Sequence, residues 1–327
     1  VLRVSEATRA LLARVDTVIF DVDGVLLDVF RSIRAVNCLC VPAYLRTFEG
    51  WSAPDTLLAS EDIEPFKRAG GFNDDWDLTC AAVQLYLFKA ARYGMRDAVA
   101  LHPLSPTITE YTDAIAARGG WLAAAEAYLR EEATAAEWAA LRAEYDPARV
   151  RRLFQELWAG DWCPRVYGYE PTYYPGPGKV RLDRPLLDIT LLPTDKKLGI
   201  LTGRTLTEAE VALEMCGVAA AIPLPAQGIT KDDGHHKPEP GGLVEITGRL
   251  GARVALYIGD TLDDLRTVLA FRALPETAEV TVLSAQVLTG TVGAEAPTLF
   301  APADIIADDV NGILRLLNAP AVDAAGA

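Results

Sequence analysis

Three things are scarce in this chain, and each scarcity removes a class of function. Cysteine is the first. Cys38, Cys40, Cys80, Cys163 and Cys216 make an odd number, and no Cys-x-x-Cys spacing occurs. That argues against a disulfide framework or a structural zinc site and for reduced thiols in a cytosol. Histidine is the second, with three in 327 residues. His235 and His236 invite a metal reading, but no third histidine or cysteine is spaced to complete a zinc site, so solvated loop histidines are expected. Basic charge is the third: 31 Lys and Arg against 45 Asp and Glu leave a net charge of −14. Phosphate backbones and anionic bilayers demand basic surface, so neither nucleic acid nor membrane is an expected partner. No run of ~18 apolar residues and no secretory leader is read, which predicts no membrane span and a cytoplasmic protein.

What is present is an apolar half of the chain, enough for a sizeable core. Short β-branched runs at 15–20, 197–201, 254–258 and 280–283 read as buried parallel strands. Helical patterns separate them. Thr207 and Glu210 have capping-box spacing, with a stop near Gly217. Further helices are expected over 241–250, ended by Gly251, from Asp263 onward, and over 310–317. Strands alternating with helices predict a doubly wound, Rossmann-like parallel sheet. Ligands bind such sheets outside the carboxyl ends of the strands. Residues from about 27 to 186 break the rhythm, with amphipathic stretches near 75–93, 121–130 and 134–145. They predict a mainly α-helical domain inserted after the first strand.

Four segments carry chemistry, and three of them sit at strand ends. Asp21-Val22-Asp23-Gly24 ends the first strand, where a carboxylate on rigid backbone can attack phosphorus. Thr202-Gly203-Arg204 follows the second; a hydroxyl and free N–H groups suit phosphoryl oxygens. Arg204 either adds charge there, where it could also help select the substrate, or is solvated. Lys237 precedes Pro238 in a loop, and a fixed ammonium near Asp21 and phosphate would offset repulsion between two anions. Gly259-Asp260-Thr261-Leu262-Asp263-Asp264 follows the third strand. With Asp21 its carboxylates make an oxygen-rich cluster suited to Mg²⁺.

In this order the four segments resemble the haloacid dehalogenase superfamily, and within it the phosphatases of the IA-like type. The resemblance covers roughly 12–28 and 188–317. It implies an α/β core over 1–28 and 187–318, a helical cap over 29–186 and a flexible tail over 319–327. It implies Asp21 as nucleophile and Asp23 as general acid and base. Asp21, the backbone carbonyl of Asp23 and Asp260 would be the direct Mg²⁺ ligands. Asp264 would act on the metal through water or by orienting Lys237, with Asp263 as its competitor. Thr202, Gly203 and Lys237 would bind phosphate. The second Asp disfavours a dehalogenase, whose halide leaves without a proton. A phosphonatase would need an imine-forming lysine from the insertion, where neither Lys67 nor Lys89 is marked as buried.

The expected activity is therefore Mg²⁺-dependent hydrolysis of a small phosphorylated metabolite by a monomer or homodimer. A phosphomutase on the same scaffold is the alternative, and a non-catalytic binding protein a further one. Within the insertion, 70–77 combines two glycines, an amide, carboxylates and an indole. Asn73 and Asp75 could recognise substrate there, or Asp74 or Asp75 could cap a helix while Trp76 packs inside. The aromatic loop 167–179 either lines the same cleft or links back to the core.

Overall fold

The computed structural model describes residues 3–72, 75–290 and 296–319. The chain forms two compact units. One runs to Phe30 and resumes at Asp183; the other is Arg31–Leu182.

The first unit is built on a seven-stranded sheet. Its strands are β1 (Arg3–Val4), β2 (Thr17–Phe20), β5 (Lys197–Leu201), β6 (Gly228–Ile229), β7 (Val254–Gly259), β8 (Thr281–Val287) and β9 (Ile305–Ala307). A separate ribbon pairs β3 (Leu27–Asp28) with β4 (Arg184–Pro185). The sheet order is β1-β9-β8-β7-β2-β5-β6, parallel throughout except for β1 on β9. β2 is buried along its whole length, as its apolar run requires, because helices cover both faces. Val18, Phe20, Leu198, Ile200, Leu256 and Ile258 pack on one face with helices Leu206–Met215 and Val310–Leu317. Ile19, Leu201, Ala255 and Tyr257 pack on the other with Gly241–Leu250 and Leu262–Arg272. The expected doubly wound sheet is therefore the observed one.

Register decides where the site lies. Phe20 pairs with Ile200 on one side and Ile258 on the other. The residues that follow, Asp21, Thr202 and Asp260, consequently emerge together from three adjacent strands. The chain leaves β2 toward one side for β5 and returns to the other for β7, a topological switch point of the kind where α/β sheets bind ligands.

Two local expectations shift. The capping box of helix Leu206–Met215 is Thr205 with Glu208 rather than Thr207 with Glu210. Either pair has the right spacing, and the chain reverses two residues earlier. β8 also runs to Val287, four residues beyond the apolar core read from sequence.

The second unit is helical. Its longest described helices are Phe30–Thr47, which begins one residue before the unit, and Asp75–Tyr93. The expected helix after Thr134 is Ala135–Glu144, capped by Thr134 and Glu137. Lys89 corrects an expectation: it is buried, and its ammonium donates to the carbonyls of Leu101 and His102. Burial lowers its pKa to about 8. The loop 167–179 is pinned by Glu156, whose carboxylate accepts from the N–H groups of Thr172, Tyr173 and Tyr174. Among the described residues no helix is long and apolar enough to cross a membrane. The expected tail lies outside the described residues beyond Ala319.

Candidate active site

The first unit brings its predicted residues to one place. Asp21 leaves β2 with its N–H still in the sheet, donating to Ile258 O at 2.8 Å. Its Oδ1 accepts from Val22 N at 2.8 Å, and its Oδ2 lies 2.9 Å from Lys237 Nζ. The loop then turns sharply, with Gly24 at φ +72° and its N–H donating to Leu27 O. Thr202 continues the sheet by donating to Ile229 O, and its Oγ1 accepts from Arg204 N. A Cβ on Gly203 would meet open space.

Lys237 sits between two carboxylates. Its Nζ is 2.6 Å from Asp264 Oδ1 and 3.3 Å from the Tyr257 hydroxyl, which itself donates to Asp264 Oδ1 at 2.7 Å. Asp264 Oδ2 accepts from Asp260 N, Thr261 N and Thr261 Oγ1. Asp264 is thus held by five donors, and it caps helix Leu262–Arg272 reciprocally with Thr261. Between the two aspartates left open by sequence, Asp264 enters the cluster. Asp263 pairs with Arg266 one turn on.

Asp21, Asp260 and Asp264 are all buried, with one carboxylate oxygen of each within 4.8 Å of the others. The electrostatics follow. Burial pushes Asp21 up to about 7, with Asp264 and Asp23 adding and Lys237 opposing. Burial, then the charges of Asp264 and Asp21, hold Asp260 well above its ordinary value. Asp264 goes the other way: burial opposes its charge, but Lys237 and the donors around it hold it below the carboxylate range. One ammonium therefore balances one of three carboxylates fully, and the cluster is short of positive charge. Asp260 Oδ1 is buried with no hydrogen-bond partner among the described residues. A hard cation with oxygen ligands fits that donor set.

Asp260 is also clamped. A Cβ on Gly24 would lie 2.3 Å from its Oδ2, and a Cβ on Gly290 would lie 2.0 Å from the same atom. Thr289 Oγ1 donates to Gly24 O beside it. Sequence reasoning missed Thr289 and Gly290, although a signal existed: a Thr-Gly pair, Thr289-Gly290, comes just after β8 as Thr202-Gly203 comes just after β5. Tyr257 was missed too, and carried no signal, since a tyrosine in a strand is ordinary.

Three further residues have partners of their own. Arg204 is not solvated: only 7% exposed, it pairs with Asp23. His235 is not a free loop residue either, since its Nε2 meets Glu245 at 2.7 Å. Asp75, in the second unit, is engaged by its own unit, accepting from Asn37 and pairing with Lys67 at 2.9 Å. Trp76 packs edge-on against Phe154 there. Asn73 lies outside the described residues.

No protein-family model and no curated protein matches the chain. Solved structures do. The phosphatase Tt82 from Thermococcus thioreducens is 22% identical, with a TM-score of 0.57, and the match covers 93% of this chain and 100% of that one. A Northeast Structural Genomics Consortium target is 15% identical, with a TM-score of 0.62 over 93% and 98% of the two chains. A HAD hydrolase of family IA, variant 3, from Entamoeba histolytica is 12% identical over 93% and 100%. Its TM-score is 0.46. At these identities the likeness extends to architecture: this chain shares the fold of the Thermococcus phosphatase and of the consortium target.

Proposed function

We propose that the chain is a hydrolase of the haloacid dehalogenase superfamily, a Mg²⁺-dependent phosphatase of small phosphomonoesters. The observation that carries this reading is the convergence of Asp21 and Asp260, at the ends of adjacent parallel strands, with Lys237 from a loop, in a cluster with an excess of buried carboxylate.

Asp21 is the nucleophile. Its oxygen attacks phosphorus as the bond to the leaving oxygen breaks, and that oxygen takes a proton from Asp23. The Asp23 carboxylate then takes a proton from water. The water oxygen attacks phosphorus, and the bond to Asp21 breaks. Asp21, Asp260 and the backbone carbonyl of Asp23 would hold Mg²⁺, which would supply positive charge to the phosphoryl oxygens. Asp264 serves the site by fixing Lys237, since its lone pairs are already taken. Thr202 and the open backbone at Gly203 bind phosphoryl oxygens.

The test is phosphate release from a panel of sugar, polyol and amino-alcohol phosphates, with Mg²⁺ and with chelator. Metal-dependent release concentrated on one class supports the reading and names the substrate class. Isomer formation from a sugar phosphate without release would make the enzyme a mutase instead.

Two further outcomes are expected. Gly290→Ala pushes Asp260 aside and should raise the Mg²⁺ concentration for half-maximal activity by about 10–100-fold, as loss of ligand support does elsewhere. A Mg²⁺ titration of the variant checks this, and an unchanged midpoint refutes the clamp. The second concerns pH. A carboxyl whose pKa is raised on folding costs stability as pH climbs from the unfolded value toward the folded one. For Asp21 that window runs from 3.8 to about 7. A bound cation removes the cost, so the rise in Tm on adding Mg²⁺ should be larger at about pH 8 than at about pH 5. A rise that is equal or smaller at the higher pH would contradict it.

A further inference from the structure

Resting on that phosphatase reading, we infer that Arg204, backed by Asp183, is the positioning residue that holds Asp23 for the water-activating half of the reaction.

The geometry is specific. Arg204 Nε lies 2.9 Å from Asp23 Oδ1 and 3.2 Å from Oδ2, and its Nη2 lies 2.7 Å from Oδ1. This is a fork grip on both oxygens of one carboxylate, a contact that gives orientation as well as energy. The guanidinium is itself fixed. Its Nη1 donates to Glu208 O, and Nη2 lies 3.9 Å from Asp183 Oδ2. Asp183 is wholly buried, whereas the Asp23 side chain is 42% exposed. Burial works against charge on Arg204, but Asp23 and Asp183 outweigh it and hold its pKa above the ordinary value. Arg204 thus reaches from a buried anchor to a carboxylate at the rim of the site.

A fork grip makes both Asp23 oxygens acceptors. That is the form that receives a proton from water, not the form that gives one to a leaving group. The two half-reactions therefore depend on Arg204 unequally. In transfer to Asp21, the bond from phosphorus to the leaving oxygen breaks and that oxygen takes the electron pair. With p-nitrophenyl phosphate the leaving oxygen is stable as an anion and needs no proton. In hydrolysis, water gives its proton to Asp23 and its oxygen bonds to phosphorus, while the bond to Asp21 breaks and its electrons return to the carboxylate. Only the second half needs Asp23 as a fixed base.

The experiment uses p-nitrophenyl phosphate with Mg²⁺ and compares the whole protein with Arg204→Gln and Arg204→Lys. In Arg204→Gln, hydrolysis should slow by about tenfold to 10²-fold, up to the low end of what a positioned acid or base contributes. A burst of p-nitrophenol should precede slow turnover, and intact mass should show a phosphoryl group on the enzyme that Asp21→Asn does not acquire. kcat and KM should fall together, leaving kcat/KM, which reports transfer to Asp21, nearly unchanged. Arg204→Lys keeps charge without the fork and should fall between. If Arg204→Gln fails to fold, Arg204→Gln/Asp183→Asn carries the same expectation.

A merely structural role would lower kcat/KM and accumulate no phosphoenzyme; that result, or wild-type turnover in the variant, overturns the inference alone. A wild type that releases nothing from p-nitrophenyl phosphate or any panel compound overturns the phosphatase reading and this inference together.

Discussion

Asp21→Asn is expected to lower phosphate release by about 10⁴-fold or more, the scale on which loss of a covalent nucleophile is felt. The amide keeps the oxygen that accepts from Val22 N and fills the same space, so the loop should hold its shape. Stability should not suffer. Asp21 is buried, crowded by Asp264 and Asp23, and pushed up to about 7, so removing its charge relieves repulsion in the metal-free protein. The variant should therefore melt no lower than wild type in chelator at neutral pH, while its gain in Tm from Mg²⁺ shrinks. Calorimetry with and without Mg²⁺, beside an activity assay, separates these effects. Substantial residual turnover would remove Asp21 from the chemistry. A large drop in Tm would mean that the carboxylate holds the loop.

Lys237→Met should have the opposite balance, with activity and stability lost together. Its ammonium lies within 2.6–2.9 Å of Asp264 and Asp21. Methionine fills the volume but leaves two buried carboxylates facing each other. Breaking a buried ion pair from one side typically costs about 3–5 kcal/mol, because the remaining charge is stranded. Urea unfolding should show a midpoint shift of that order in chelator. Adding Asp264→Asn to Lys237→Met should recover part of the stability but none of the activity, since Asp21 would still lack its cation. Full stability in the single variant would mean that water reaches the cluster and screens it.

The contrast between these variants shows which parts of the site were local in sequence. Asp21, Asp23, Gly24, Thr202 and Asp260 were legible because each follows an apolar run within four residues, and strand-then-turn is a short-range pattern. The fold was legible for the same reason: parallel strands buried on both faces must be continuously apolar, and the intervening helices carry their own caps. Lys237 was legible only through its flanking proline and its place in the order of segments.

What sequence left open was settled by groups distant along the chain. Asp263 and Asp264 are neighbours, and the choice between them depends on which one faces Lys237 and Tyr257. Arg204 could have been solvated; its burial depends on Asp23 and Asp183, which are far apart along the chain. Thr289 and Gly290 enter the site because β8 pairs with β7 in a register that places Gln286 beside Gly259. The sequence by itself determined the architecture, the order of the strands' chemistry and which carboxylate is proposed to attack, because hydrophobic period and turn chemistry act over a few residues. Only the tertiary structure decided which carboxylate anchors the lysine, which glycines clamp Asp260 and what holds Asp23. Those choices are contacts across the sheet, and no local pattern encodes them.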